Sequence, residues 1–304
     1  MATLRYSLLC FLTLILPAST VWAGSDYKIV EQEKKPSIPF PDKTEPFLSM
    51  DAAGKANVTF IKKTSSDINQ QCSADTTTIN LLPKYPNVFY VPCPKRTLAG
   101  TDTAGTVTWQ FPLEEQGDRE IGYGNNRVII DAHDKRQVLI LSSNTGEITQ
   151  KVPYDILGCE NRSPWAGYVD AAHQNLYIHC VDFVNNEGNL LNKVDLSNHT
   201  VTPLYHSDKQ FLGGVASRLS HINIDSSGRF LIFSEVMPSR LSSWGRFTVL
   251  DTVTKKVIAK EKIYKWSWDV DIASGKNQDF AIGYLCDYNE RYQYCTKTYK
   301  IIQQ

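Results

Sequence analysis

Apolar residues in this chain fall in short runs that alternate with polar positions, and Gly, Pro, Asn, Asp or Ser interrupts the runs at close, fairly even intervals. A period of two marks half-buried strands. No stretch holds the i, i+3, i+4, i+7 spacing over the ten or so residues a helix needs. One unit recurs. Val249 to Ile258 reads as a strand, a tight polar turn and a second strand, and the same frame returns at Leu141 to Ile148, at Val194 to Val201 and, more loosely, at Gly100 to Val107. In each copy a small polar residue (Thr101, Ser142, Asp195, Asp251) stands six positions before a β-branched one (Val107, Ile148, Val201, Val257), and the β-branched residues follow one another at 41, 53 and 56 residues. A hairpin repeated at such a period suggests the blades of a propeller.

Strand runs group into four-stranded units on that frame. The first takes 76–82, 87–93, 96–101 and 106–111; the second 119–123, 127–130, 137–142 and 147–152. The third takes 167–169, 175–181, 190–196 and 200–204; the fourth 219–224, 229–235, 246–251 and 256–260. The last has 267–272, 279–286 and 296–302 and lacks an outer strand. Val58 to Ile61 has no partner of its own and is expected to supply it, tying the chain ends together and removing unpaired edges. The predicted fold is therefore all-β: a single β-propeller of about five four-stranded blades, with six left open by the strand boundaries, closed by an N-terminal strand.

The N-terminal residues differ in kind. Arg5, the apolar run Leu8 to Leu16 and the small-residue frame Val21-Trp22-Ala23 read as an export signal over residues 1–23, too short to span a bilayer. Residues 24–55 follow as an arm with a Pro-rich linker (Pro36, Pro39, Pro41, Pro46), and 56–304 form the propeller domain. Later segments do not approach a membrane-spanning length. The reading is a secreted or periplasmic protein without a membrane span.

Composition adds exclusions. The 304 residues are 42% apolar and 21% charged with a formal net charge of zero. No basic stripe appears, so nucleic acid is excluded as a partner. Six cysteines remain after the signal, and an even count in an exported chain implies disulfides. The simplest of the fifteen connectivities that six cysteines allow is sequential: Cys72–Cys93, Cys159–Cys180 and Cys286–Cys295. No CxxC or paired-His spacing suggests a metal. Sequons at Asn57, Asn161 and Asn198 are no more than a Ser- and Thr-rich chain produces by chance.

Two stretches carry a family resemblance. Ile224-Asp225-Ser226-Ser227-Gly228-Arg229-Phe230-Leu231-Ile232, with Val249-Leu250-Asp251-Thr252, resembles the blade pattern of YVTN-type bacterial β-propellers. Thr101 to Phe111, with Trp109 at its centre, is similar to the hairpin of quinoprotein-like propellers. The likeness covers most of residues 57–302 as a repeat pattern. It implies a fold and carries no activity across.

Candidate chemistry is sparse. Asp170, Asp225 and Asp271 each follow an apolar strand residue. They read as turn caps before they read as a ring of acids for glycoside hydrolysis. The six histidines are scattered, and neither a Gly-x-Ser-x-Gly elbow nor a phosphate loop is present. No catalytic residue, cofactor or metal is assigned. The cysteines fall at the strand ends that share one face, where the long loops also concentrate Arg and aromatic residues: Arg162, Trp165, Arg218, Arg240, Trp244, Trp266, Tyr288 and Arg291. Such residues on rigid loops suit recognition. The expectation is a non-catalytic binding module for a protein, peptide or glycan, acting through that loop face. A propeller hydrolase of glycosidase or lactonase type, with acids at the central mouth, is the alternative.

Overall fold

The computed structural model describes residues 26–39, 41, 44–62, 80–81, 87–91, 96–102, 106–114, 117–182, 189–207, 218–237, 244–263, 270–287 and 293–304. In chain order these form β1 (Tyr27–Pro39), the hairpin β2 (Thr44–Met50) and β3 (Ala56–Lys62), and a first four-stranded meander β4 (Asn80–Leu81), β5 (Val88–Val91), β6 (Thr97–Thr101) and β7 (Val107–Pro112). A second comprises β8 (Arg119–Gly124), β9 (Arg127–Ala132), β10 (Gln137–Ser142) and β11 (Ile148–Pro153). A third comprises β12 (Ser163–Asp170), β13 (Asn175–Val181), β14 (Asn189–Asp195) and β15 (Val201–Ser207). A fourth comprises β16 (Arg218–Ile224), β17 (Phe230–Met237), β18 (Trp244–Asp251) and β19 (Lys256–Lys262). The last three strands are β20 (Val270–Ser274), β21 (Asp279–Asp287) and β22 (Gln293–Gln303). Within the described residues, the strand runs read from the sequence reappear in the same chain order. Among the described residues no helix is long and apolar enough to cross a membrane.

The core lies between successive sheets, and the period of two explains why. Phe230 and Ile232 face the last sheet, packing with Phe280, Ile282 and Tyr299. Leu231 and Phe233, one residue out of phase, face the third, packing with Tyr177 and Leu191. The second and third sheets share a core through Ile129, Ile140, Leu176 and Ile178, and the first and second through Val88, Leu98, Val128 and Ile130. Strands buried on both faces read as nearly continuous apolar runs, as Leu231 to Phe233 does. Sheets packed face to face in chain order, with inner strands facing a common cavity, make a propeller arrangement. The second and third meanders merge into one curled eight-stranded sheet through a parallel bridge between Gly122 and Gly167. A Cβ on Gly122 would collide with the Gly167 carbonyl, so only glycine allows that approach.

The repeated hairpin is held by its polar residue. Asp251 Oδ1 accepts from the backbone N–H of Val253 at 2.9 Å, and Asp195 Oδ1 from that of Ser197 at 2.8 Å. Ser142 Oγ accepts from Asn144 and Thr145, both at 3.3 Å. Four residues after each cap, Gly146, His199 and Lys255 have positive φ (71°, 61° and 57°), the left-handed step that lets a tight turn rejoin a twisted ladder. In the first copy the cap is Asp102, which accepts from Thr106 at 2.9 Å, and not Thr101.

Two expectations are corrected. The strand completing the last sheet is β1, antiparallel to β22 from Tyr27↔Gln303 to Pro39↔Gln293, and not residues 58–61, which pair with β2. The stretch read as arm and linker is thus largely strand. Proline tolerates this because β1 is an edge, and a register shift between Lys35 and Ile38 takes Pro36 out of the ladder. Arg229 anchors the start of β1. It donates to Asp251 Oδ2 at 2.7 Å and Oδ1 at 3.1 Å and to the Tyr27 hydroxyl at 3.1 Å, with its guanidinium 4.7 Å from the Tyr27 ring centroid.

Candidate functional site

The inner strands and the short turns at one end of the sheets enclose a cavity of about 790 Å³, within the usual range for small-ligand sites. β2 contributes Phe47 and Ser49; the β8–β9 turn contributes Asn125 and Asn126; the β10–β11 turn contributes Asn144. Tyr168 ends near it on β12, and Asn223 and Ser274 line it from β16 and β20. Asn125 Nδ2 donates to the Val169 carbonyl at 3.1 Å and Asn223 Nδ2 to that of Ile272 at 3.1 Å, so side-chain amides tie neighbouring inner strands and hold the wall.

The ionisable lining is small. Asp102, Asp271 and His221 are its carboxylates and imidazole, and among the described residues no Lys or Arg reaches it. Asp271 is no turn cap. It lies within β20 opposite Gly283, while the following turn is closed by Gly275, whose N–H donates to the Asp279 carbonyl at 2.8 Å. Tyr294 on β22 crosses over Gly283, where any Cβ would occupy the place of its phenol, and donates to Asp271 Oδ2 at 2.6 Å. Burial first, and then the Asp271 charge, push the Tyr294 phenol well above its ordinary value, so it stays a donor. The other carboxylate oxygen faces His221 Nδ1 of β16 at 3.6 Å, with both side chains largely buried. Asp170 and Asp225 behave as their sequence context predicts. Asp225 Oδ1 accepts from the amides of Arg229 and Phe230 at 3.0 and 2.7 Å, and Asp170 Oδ2 meets His173 Nδ1 at 2.7 Å.

The site residues read from the sequence that the structure describes, Arg162, Trp165, Arg218 and Trp244, lie at the other end of the sheets. Cys159–Cys180 and Cys286–Cys295 are disulfide-bonded there, as sequential pairing predicts, while Cys72 and Cys93 lie outside the described residues. Trp165 is partly buried against the core of the third and fourth sheets, with the Arg119 guanidinium 4.7 Å from its ring centroid. Arg162 pairs with Glu160 at 2.9 Å. Arg218 and Trp244 open β16 and β18, where the backbone alone is described, and Arg240, Trp266, Tyr288 and Arg291 lie outside the described residues. Neither Arg162 nor Trp165, the two of the eight whose side chains are described, reaches the cavity wall. What sequence reading missed was Asp271 with His221. A signal was present: Asp271 stands four residues before its turn glycine, Asp225 only three, and the extra residue moves Asp271 out of the turn and into the strand.

Fold and cavity together define an all-β protein of propeller type with a cavity of mixed polar and apolar lining and disulfides at the opposite end. No known family's sequence profile matches the chain, and no curated protein matches it by sequence. Among solved structures it is similar to Saccharomyces cerevisiae Sqt1, with 10% identity, 84% of this chain and 81% of that one covered, and a TM-score of 0.41. It is also similar to the β-propeller domain of the Trilobed protease from Pyrococcus furiosus (7% identity, 60% and 54% covered, TM-score 0.39). A third is the Pyrococcus horikoshii acylaminoacyl peptidase (8% identity, 57% and 29% covered, TM-score 0.37). The chain spans less than two thirds of the last two. Likenesses this loose bear on neither activity nor ligand.

Proposed function

We propose that this protein is an exported, disulfide-stapled propeller of about five blades, its ring closed through β1, that acts as a non-catalytic binding module in the secreted or periplasmic space. Its ligand is received in the central cavity, and the Arg- and Trp-bearing loop end, from Arg162 and Trp165 to Arg291, serves at most as a second surface for a protein or peptide. One observation carries the reading. The cavity's acids are engaged within the fold, Asp102 on the Thr106 amide and Asp271 on Tyr294, while amides, hydroxyls and the His221 imidazole make up the rest of its polar wall. A glycosidase needs two carboxylates flanking the bond to be cleaved.

A hydrolase is the second reading, because His221 beside Asp271 is the one acid–base couple at the wall. Turnover separates the two. The secreted protein, mature from Gly24, is expected to leave chromogenic glycosides and lactones unhydrolysed. Turnover that disappears in His221→Gln would establish the hydrolase instead. A chain retained in the cytosol would refute export, and one secreted with Met1 still attached would refute cleavage after Ala23.

A further inference from the structure

The cavity's chemistry narrows the ligand further, on the premise that the cavity is where the ligand sits. Anions are recognised by Arg, Lys or clustered N–H donors, and among the described residues no Arg or Lys lines this wall. Organic cations are recognised by uncommitted carboxylates or by cages of aromatic faces. Here Asp271 already accepts from Tyr294 at 2.6 Å, and Asp102 accepts from its own turn at 2.9 Å. An apolar ligand would leave the amides and hydroxyls of the wall without partners once water is expelled.

What remains suits a neutral molecule carrying many hydroxyls. Asn125, Asn126 and Asn144 are exposed at the turn end, each with an amide that can both donate and accept, as a hydroxyl ligand requires. Phe47 and Tyr168 supply aromatic surface on the same wall, and the C–H faces of a pyranose ring pack on such surface while its hydroxyls point to the rim. All three asparagines sit in turns or at their edges, and Asn125 and Asn126 hold positive φ (49° and 60°), so they are presented by a two-residue hairpin with little freedom. We infer that the cavity binds a segment of a neutral oligosaccharide, entering from the turn end, opposite the disulfides.

The test is titration calorimetry of the mature chain against named probes: cellohexaose, chitohexaose and maltoheptaose as neutral saccharides, a hexagalacturonate as the charged one, and a (Gly-Ser)₅ peptide. At least one neutral saccharide is expected to bind, and Asn144→Ala, which strips an exposed amide from the cavity wall, to weaken it severalfold with the unfolding midpoint unchanged. Asn144→Lys is expected to weaken the neutral sugar and confer binding of the hexagalacturonate, a gain that misfolding cannot mimic. Neutral saccharide binding that survives Asn144→Ala undiminished would refute the cavity as the site. Binding of only the peptide or the uronate, weakened by Asn144→Ala, would keep the cavity and overturn the saccharide. No saccharide binding at 10 mM, about the limit of a useful affinity, overturns the inference as well.

Discussion

Removing Arg246 should unbalance one of the two carboxylates that are wholly inaccessible among the described residues, in a way that depends on pH. Glu235 is fully buried on β17. Directly opposite on β18, Arg246 donates from Nε to Oε2 at 2.5 Å and from Nη2 to Oε1 at 3.0 Å, while Thr248 and Tyr205 donate at 2.7 and 3.2 Å. Burial works to raise the carboxyl, but the Arg246 bonds and charge, with Thr248, outweigh it and hold Glu235 below its usual value. A lowered carboxylate contributes stability that is present above the unfolded value of about 4.3 and lost as pH falls through the folded one. Arg246→Met keeps the packed stem and strands the charge. The loss expected is about 3 kcal/mol, the low end for breaking a buried pair, because Thr248 and Tyr205 remain. With burial now dominant the sign reverses. The Glu235 pKa rises above about 4.3, and its cost grows by roughly 1.4 kcal/mol per pH unit until the folded value is reached. Urea unfolding followed by tryptophan fluorescence should show a midpoint lowered by about 1–3 M at pH 7.5 and by clearly less at pH 5. Glu235→Leu with Arg246→Met should recover most of the loss, since an apolar pair carries no desolvation cost. A penalty under about 1 kcal/mol, or one equal at both pH values, would refute this account of the pair.

Two further substitutions probe the scaffold. Gly122→Ala would place a Cβ against the Gly167 carbonyl, a backbone atom that cannot rotate away. A loss of about 3 kcal/mol or more in the same urea assay is expected, and a silent substitution would show that the β8–β12 bridge is dispensable. Replacing Cys159 and Cys180 together by Ala removes a bridge across 21 residues and should cost about 2–4 kcal/mol while leaving cavity binding intact; lost binding with unchanged stability would overturn the separation of the two ends.

Most of the scaffold was legible because it rests on local patterns. Leu231 to Phe233 announces a strand buried on both faces, and Ser142, Asp195 and Asp251 announce their turns, since an oxygen two or three bonds from Cα can reach the next amides without tertiary help. Lys35 to Pro39 reads as linker for a related reason. Its prolines forbid a central strand, and sequence alone does not distinguish a linker from an edge strand whose prolines fall in a bulge. The exchange of β1 for residues 58–61 depends on which segment finds the edge of β22, a non-local choice fixed by Tyr27 docking on Arg229 two hundred residues away.

The cavity was illegible for a deeper reason. It takes one or two residues from each of several strands and turns, and no local spacing joins Asp271 to His221 or to Tyr294. Their meeting depends on Gly283, a residue that contributes by having no side chain: it opens the passage through which a phenol on β22 reaches a carboxylate on β20. Arg, Trp and Cys draw attention in a sequence because each is chemically distinctive, and they led to the loop end. Asparagine and serine do not, because the same residues build ordinary turns. In this fold Asn125, Asn126 and Asn144 do both, and the role of turn former conceals that of cavity wall. The two ends of the sheets are therefore divided by chemistry: disulfides secure the connections at one, and at the other short turns bring asparagine amides to the cavity wall.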